Sequence, residues 1–249
     1  MNKTLIYFTI GGDPKYVELL EFCLKTLHEK NPDLNSWADI MVMCDENYKQ
    51  YIQDLKIDYI YLTEKTTNPM QISMKKVEIF KFLEKHDHYE KILYLDCDLI
   101  IMKSLKDIFN IEMKNDILYV VPEFDYKLNY YSFHSGSRVY TPEQHRFLQK
   151  NNIQGFNCGQ FLFLNTPQMK QHFQNVLDMM NSNDDANFFY EQSFMNYYFN
   201  LSNKISYQLD FFVKLRPPSL EPNVIIYHFA NASISFQNKL ILMKNLYSK

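Results

Sequence analysis

The chain lacks a surplus of either charge. Its 249 residues carry 26 Lys and Arg against 29 Asp and Glu, a formal net charge of -3. A nucleic-acid-binding surface needs a basic excess, so nucleic acid is set aside as a partner. Long apolar runs are missing too, and no transmembrane segment is expected. The opening stretch MNKTLIYFTIGGD has only a short apolar run between Lys3 and Gly11 and no small-residue cleavage site. That argues against a signal peptide. No two cysteines form a C-x-x-C pair, because Cys23, Cys44, Cys97 and Cys158 stand far apart. Neither a zinc site nor a redox motif is indicated. Reduced, buried thiols in a cytoplasmic protein are a simpler expectation than a disulfide framework. Repeats, low-complexity tracts and linkers are also missing, so one domain over residues 1–249 is expected.

What is present suffices for a core. Apolar residues make up 46% of the chain and charged residues 22%, which excludes disorder. The 19 tyrosines and 20 phenylalanines are expected mainly in packing. TLIYFTI (4–10) is a β-rich run stopped by Gly11, Gly12, Asp13 and Pro14, a first strand and its turn. YVELLEFCLKTLHEK has helical apolar spacing. ADIMVMC, IDYIYLT and KILYLD are further strands, with a polar helix from Glu46 and a clear helix in SMKKVEIFKFLEK between them. Strands alternating with helices predict a parallel sheet with covered faces. Beyond Leu105, ILYVVP and FNCGQFLFLNT read as strands, MKQHFQNVLDMMN and YEQSFMNYYFN as helices, and NVIIYHFAN as a late strand ending in His228. Residues 125–152 are polar, aromatic and poorly periodic, with Gly136 between serines. They are expected to form a long irregular surface excursion that walls an acceptor site.

KILYLD runs straight into a second aspartate. Residues two apart in an extended chain point the same way, so Asp96 and Asp98 become neighbours if the strand continues. Close carboxylates repel, and one keeps a proton unless a cation lies between them. Carboxylate oxygens suit Mg²⁺ and Mn²⁺, and ligands of open α/β sheets gather at the carboxyl ends of strands. A bare D-x-D also fits a solvated turn. The apolar strand in front of it favours a metal site. A haloacid-dehalogenase-like phosphotransferase fits less well, because its motif lies on the first strand, with Thr or Val where Ile100 stands.

In order and spacing, most of the chain resembles glycosyltransferase family 8, the glycogenin-like and galactosyltransferase-like enzymes. LIYFTIGGDPKY is similar to its first strand and nucleotide loop, MKKVEIFKFL to its lysine-bearing helix, and KILYLDCDLIIMKSLKDIF to its metal strand. FNCGQFLFLN, EQSFMN and YHFAN are similar to its later segments. The resemblance implies a GT-A-like α/β domain with a Rossmann-like nucleotide half and a mainly parallel mixed sheet. It implies metal ligation by Asp96, Asp98 and His228, and the imidazole favours Mn²⁺, with Mg²⁺ as the alternative. Tyr16 would stack on the base, with Thr9 and Gly11 on the same loop and Cys97 between the aspartates. Lys76, Asn157 and Gln192 would lie near the donor, with Lys75 as an alternative to Lys76. Gln192, Glu191 and Lys76 are the catalytic candidates, and Glu191 is the nearby carboxylate that could attack. Each residue also has a plainer role: a backbone-bonded histidine, a core tyrosine, a solvated lysine, a helix-start glutamine.

The implied reaction moves a hexose, glucose or galactose, from a UDP-sugar to a glycan or glycoprotein acceptor with retention. A homodimer is compatible with it. The sequence departs from the family at Asn231, where a glycine is usual, and at Ile234, where the diphosphate lysine would fall. Lys239 could stand in for that lysine. The departures motivate a rival, a non-catalytic nucleotide-sugar binder. HDH (86–88) reads as a solvated loop and the amphipathic tail NKLILMKNLYSK as packing on its own domain.

Overall fold

Alternation along the first strand sets the architecture. β1 (Thr4–Thr9) is buried at every position. Leu5 and Tyr7 enter one apolar layer and Ile6 and Phe8 the other, as a period of two requires. β4 (Lys91–Leu95) divides in the same way, with Ile92 and Tyr94 on the first side and Leu93 and Leu95 on the second. A strand covered on both faces reads as an unbroken apolar run. The computed structural model describes residues 3–65, 69–127, 140–151, 153–182, 190–217, 219–230 and 234–249.

A seven-stranded sheet runs in the order β3 (Tyr59–Thr63), β2 (Ala38–Asp45), β1, β4, β7 (Gln154–Leu164), β6 (Leu118–Lys127), β8 (Ile205–Ser206). β7 is antiparallel to both of its neighbours and the remaining pairings are parallel. The sheet is therefore mixed and mostly parallel, as predicted. One face carries α1 (Tyr16–Lys30), joined by Met243 and Leu246 of α8 (Phe236–Tyr247). The other carries α3 (Pro69–Val77), α6 (Pro167–Asn181) and α7 (Tyr190–Leu201). The tail thus packs on its own chain. α2 (Glu46–Ile52) follows β2, its first turn capped by Asp45, whose Oδ1 accepts from Asn47 N–H at 2.9 Å. The four cysteines are free and buried.

Four features differ from the sequence-based expectation. The strand before the aspartates stops at Leu95. The chain leaves the large sheet and re-enters as β5 (Leu99–Ile101) in a second sheet, ordered β5, β10 (Ile226–His228), β9 (Val213–Leu215). Asp96 and Asp98 therefore lie at the seam between two sheets instead of along one strand. The lysine-bearing helix is also split. After α3, a tight turn at 78–79 leads into the short α4 (Phe80–Leu83), with Lys81 N–H donating to Glu78 O at 2.9 Å. Residues 125–152 are not irregular throughout. β6 continues to Lys127, and α5 (Pro142–Lys150) begins at a capping box made by Thr141 and Gln144. The expected loop around Gly136 and its acceptor wall falls in 128–139, outside the described residues. Finally, the HDH stretch is not simply solvated, since the His86 ring stacks on Phe82 at 4.1 Å.

Candidate active site

The seam is held from both sides through the backbone. Asp96 N–H donates to Gly159 O of β7 at 2.7 Å, and Phe229 N–H donates to Asp98 O at 2.9 Å. Asp96 is thus tied to the large sheet and Asp98 to the strand that carries His228. The outcome is a cluster in which ligand atoms of Asp96, Asp98 and His228 all lie within 4.8 Å of one another. No other such group occurs among the described residues. His228 is 2% exposed, and its Nε2 faces Asp98 Oδ1 at 3.0 Å and Asp96 Oδ2 at 3.9 Å.

This closeness depends on Gly159. A Cβ there would lie 2.1 Å from His228 Cε1 and 2.8 Å from Asp96 Oδ2. It would also meet Asn157 Oδ1 at 2.8 Å, the atom that accepts from Gly159 N–H. The register of β7 against β6 slips between Val120 and Val121, so that residues 158–160 bulge. A bulge with a glycine re-aims a strand next to a site. That is the physical use of the FNCG run, and Asn157 there shapes the bulge with its own side chain.

A second set of contacts joins the aspartates to α3 and α7. Lys76 Nζ lies 3.0 Å from Asp96 Oδ1 and 2.6 Å from Glu191 Oε1, and over the Tyr94 ring at 5.1 Å. Burial pulls the Lys76 pKa down, but Asp96, Glu191 and Tyr94 together hold it well above its ordinary value. Lys75 instead faces Glu78 at 3.2 Å, so of the two lysines Lys76 is the one at the aspartates. Tyr94 Oη donates to Asp96 Oδ1 at 2.5 Å and receives from Thr9 Oγ1 at 2.9 Å. Thr9 therefore turns to the aspartate end of the site.

Gln192 is held at both ends of its amide. Cys158 N–H donates to Oε1 at 3.0 Å, and Nε2 donates to Glu123 Oε2 at 3.0 Å. Arg216 Nη2 donates to the other Glu123 oxygen at 2.7 Å, and its Nε donates to Ala230 O at 2.7 Å. Neither Glu123 nor Arg216 was singled out in the sequence. A signal for the first was the carboxylate ending the apolar run ILYVVP. The second has no local sequence signal, although its backbone has φ 51°, a region that non-glycine residues rarely occupy.

Thr9, Lys76, Asp96, Glu191 and Gln192 line one cavity of about 500 Å³ with Gly11, Gly12, Tyr16, Cys97, Asp98 and Lys239. Gly12 has φ 82°, which turns the chain sharply after β1. Tyr16 is 41% exposed, its ring edge-on to Phe236 at 5.9 Å, so it is not a core residue. The Cys97 thiol is pushed up, first by burial and then by Asp98 and Asp96. Lys239, from α8, reaches Asp98 Oδ2 at 2.5 Å. Burial is the largest influence on Asp98 and would raise its pKa, but His228 and Lys239 together hold the carboxyl well below the usual range. A larger cleft, about 820 Å³ between α1 and α8, contains none of these groups.

The family model described as Glycosyl transferase family 8 matches residues 14–217. The chain belongs to glycosyl transferase family 8. Among curated proteins it is 35% identical over 74 residues to glycogenin of Komagataella phaffii, a stretch that takes in 30% of this chain and 16% of glycogenin. Among solved structures it is similar to the galactosyltransferase LgtC in complex with donor and acceptor sugar analogs. The identity is 14%, the TM-score 0.64, and 97% of this chain and 96% of that one are covered. It is similar as well to the bifunctional glycosyltransferase WbbM, at 13% identity and TM-score 0.63, covering 99% of this chain and 51% of that one. The chain thus spans about half the length of WbbM. GlyE of Streptococcus pneumoniae aligns at 18% identity and TM-score 0.57, over 98% of this chain and 64% of GlyE. At such identities the likeness is one of fold, and the fold of this chain is GT-A. No helix among its described residues is long and apolar enough to cross a membrane.

Proposed function

We propose that this family 8 glycosyltransferase moves a hexose, glucose or galactose, from a UDP-sugar to a glycan or protein acceptor with retention at the anomeric carbon. One observation carries the proposal. Ligand atoms of Asp96, Asp98 and His228 converge within 4.8 Å, and the two aspartates line the cavity that also holds Tyr16 and the Gly11–Gly12 turn. Two carboxylates and an imidazole with its Nε2 turned toward them form a donor set that fits a divalent cation, and the imidazole favours Mn²⁺ over Mg²⁺. When bound there, the cation supplies Lewis-acid neutralisation of charge on the departing diphosphate.

The remaining roles belong to the chain. Tyr16 offers an exposed ring to the base. Lys76, held by Asp96 and Glu191, adds positive potential beside the leaving group. Gln192, fixed by Cys158 and Glu123, presents a rigid amide at the sugar end, and Asn157 shapes the bulge beside it. Glu191 is 4% exposed and paired with Lys76, which weakens it as a nucleophile. A same-face transfer without a glycosyl-enzyme is therefore favoured. Lys239 lines the same cavity, so Ile234 no longer argues for a non-catalytic binder.

Turnover of UDP-glucose and UDP-galactose, with and without acceptor, tests the proposal. It should require Mn²⁺ and cease with chelator. Asp98→Asn should lose activity by orders of magnitude while folding. Turnover unaffected by excess chelator or by that substitution would refute the assignment.

A further inference from the structure

Asp98 has no free oxygen. Oδ1 faces His228 Nε2 at 3.0 Å, and Oδ2 accepts from Lys239 Nζ at 2.5 Å. Both side chains of the lysine pair are largely shielded, at 15% exposure for Lys239 and 12% for Asp98. A carboxylate so placed needs a cation beside it. Here that cation comes from α8, 141 residues along the chain. A divalent ion held by Asp96, Asp98 and His228 needs the same carboxylate and places two more positive charges beside Nζ. The ammonium and the ion repel, so the ammonium has to leave Oδ2 as the site fills. The neighbouring acids offer it little, because Asp96 and Glu191 already share Lys76. The diphosphate of a donor in the same cavity brings negative charge with which a released ammonium can pair.

We propose that Lys239 is a placeholder cation, which occupies the Asp98 carboxylate until a metal ion binds and then pairs with the donor diphosphate, so that metal and nucleotide load cooperatively. This rests on the metal and nucleotide reading above. The placement of α8 supports it. Phe236 and Lys239 lie three residues apart, on one helix face, so one face touches Tyr16 at the base end and Asp98 at the metal end. Lys239 accordingly opposes the metal when it binds alone and favours metal and nucleotide together.

The test is titration calorimetry of Mn²⁺ with and without UDP, on wild type, Lys239→Met and Lys244→Met. In wild type, UDP should tighten Mn²⁺ binding strongly. Lys239→Met should bind Mn²⁺ alone about tenfold more tightly, and the enhancement by UDP should shrink by about the same factor or more, within the usual range of coupling between sites. Lys244→Met removes the same charge from the same helix and should leave both quantities unchanged. Should Lys239→Met fold poorly, Lys239→Gln keeps a polar stem and reads the same comparison. Intact Mn²⁺ binding with unchanged enhancement in the Lys239 variants overturns the placeholder alone, as does an equal effect of Lys244→Met. Failure of wild type to bind Mn²⁺ even with UDP overturns the metal reading and the placeholder with it.

Discussion

Gly159→Ala adds one methyl group at the point where three functional side chains meet. Its Cβ would lie 2.1 Å from His228 Cε1, with Asp96 Oδ2 and Asn157 Oδ1 each at 2.8 Å. The first distance falls more than an ångström short of ordinary carbon contact. His228 is 2% exposed and has little free space to move into. Either the imidazole shifts by about an ångström or the β7 bulge flattens, and both carry Nε2 away from the carboxylates. Overpacking of this kind costs about 1–3 kcal/mol, and each kcal/mol lowers the melting temperature of a chain this size by about 2–4 °C. The loss in metal affinity should be larger, about 10–100-fold, as for residues that orient ligands. Calorimetry with Mn²⁺ and UDP reads the affinity, and differential scanning reads the melting point. Gly11→Ala is the control, since its Cβ would meet only Ile72 side-chain carbons, the nearest at 3.1 Å. It should leave the affinity for Mn²⁺ alone unchanged. A Gly159→Ala chain that binds Mn²⁺ like wild type would show that His228 is not held against the aspartates as described.

Tyr16→Ala should weaken UDP binding by about 1–3 kcal/mol, the usual value of a base stacked on an aromatic ring, as measured by calorimetry. Unchanged affinity would return the ring to its contact with Phe236. Arg216→Met should destabilise the fold by about 1–3 kcal/mol by leaving Glu123, 4% exposed, without its ionic partner. Urea unfolding checks this, and adding Glu123→Gln should recover part of the loss. Because the Asp98 carboxyl is held below its ordinary range in the folded chain, its stabilising contribution is full above the unfolded pKa of about 3.9 and is lost as pH falls toward the folded value. The stability difference between wild type and Asp98→Asn should therefore be constant from pH 7 to about 5 and narrow below about 4. A gap that changes mainly near neutral pH would point to another group.

The parts of the fold legible in the sequence were those with local causes. TLIYFTIGGD showed a buried strand and a glycine turn because apolar runs and Gly12 obey local rules. KILYLDCD showed two aspartates at a strand end for the same reason. The capping box at Thr141 was equally local: T-P-E-Q carries the N-cap, the proline and the returning glutamine, yet the polar surroundings hid it. The rest depended on distance. Glu123 and Arg216 are 93 residues apart, and nothing in either neighbourhood announces the other. Lys239 was suggested only by the lost lysine at Ile234. Its contact with Asp98 comes from the docking of α8 on α1, which no spacing rule encodes. The split of the lysine helix and the passage from β4 to β5 are tertiary choices, because an apolar run cannot show which of two sheets it will join.

The Asp96–Asp98 seam also has a consequence for motion. Asp96 hangs by its amide from a strand of the large sheet, and Asp98 is tied by its carbonyl to the amide of Phe229, just past the small sheet's His228. Any ion shared by their side chains works as a rivet between two slabs that otherwise meet through apolar packing and the Arg216–Glu123 ion pair. Hydrogen exchange would register it. Amides at the seam, above all Asp96 and Phe229, should exchange more slowly with Mn²⁺ bound, while β2 and β3, at the far side of the large sheet, should not respond. Ion binding would then also set how far the His228 strand can drift from the bulge at Gly159, and with it the width of the cleft in which a sugar must change hands.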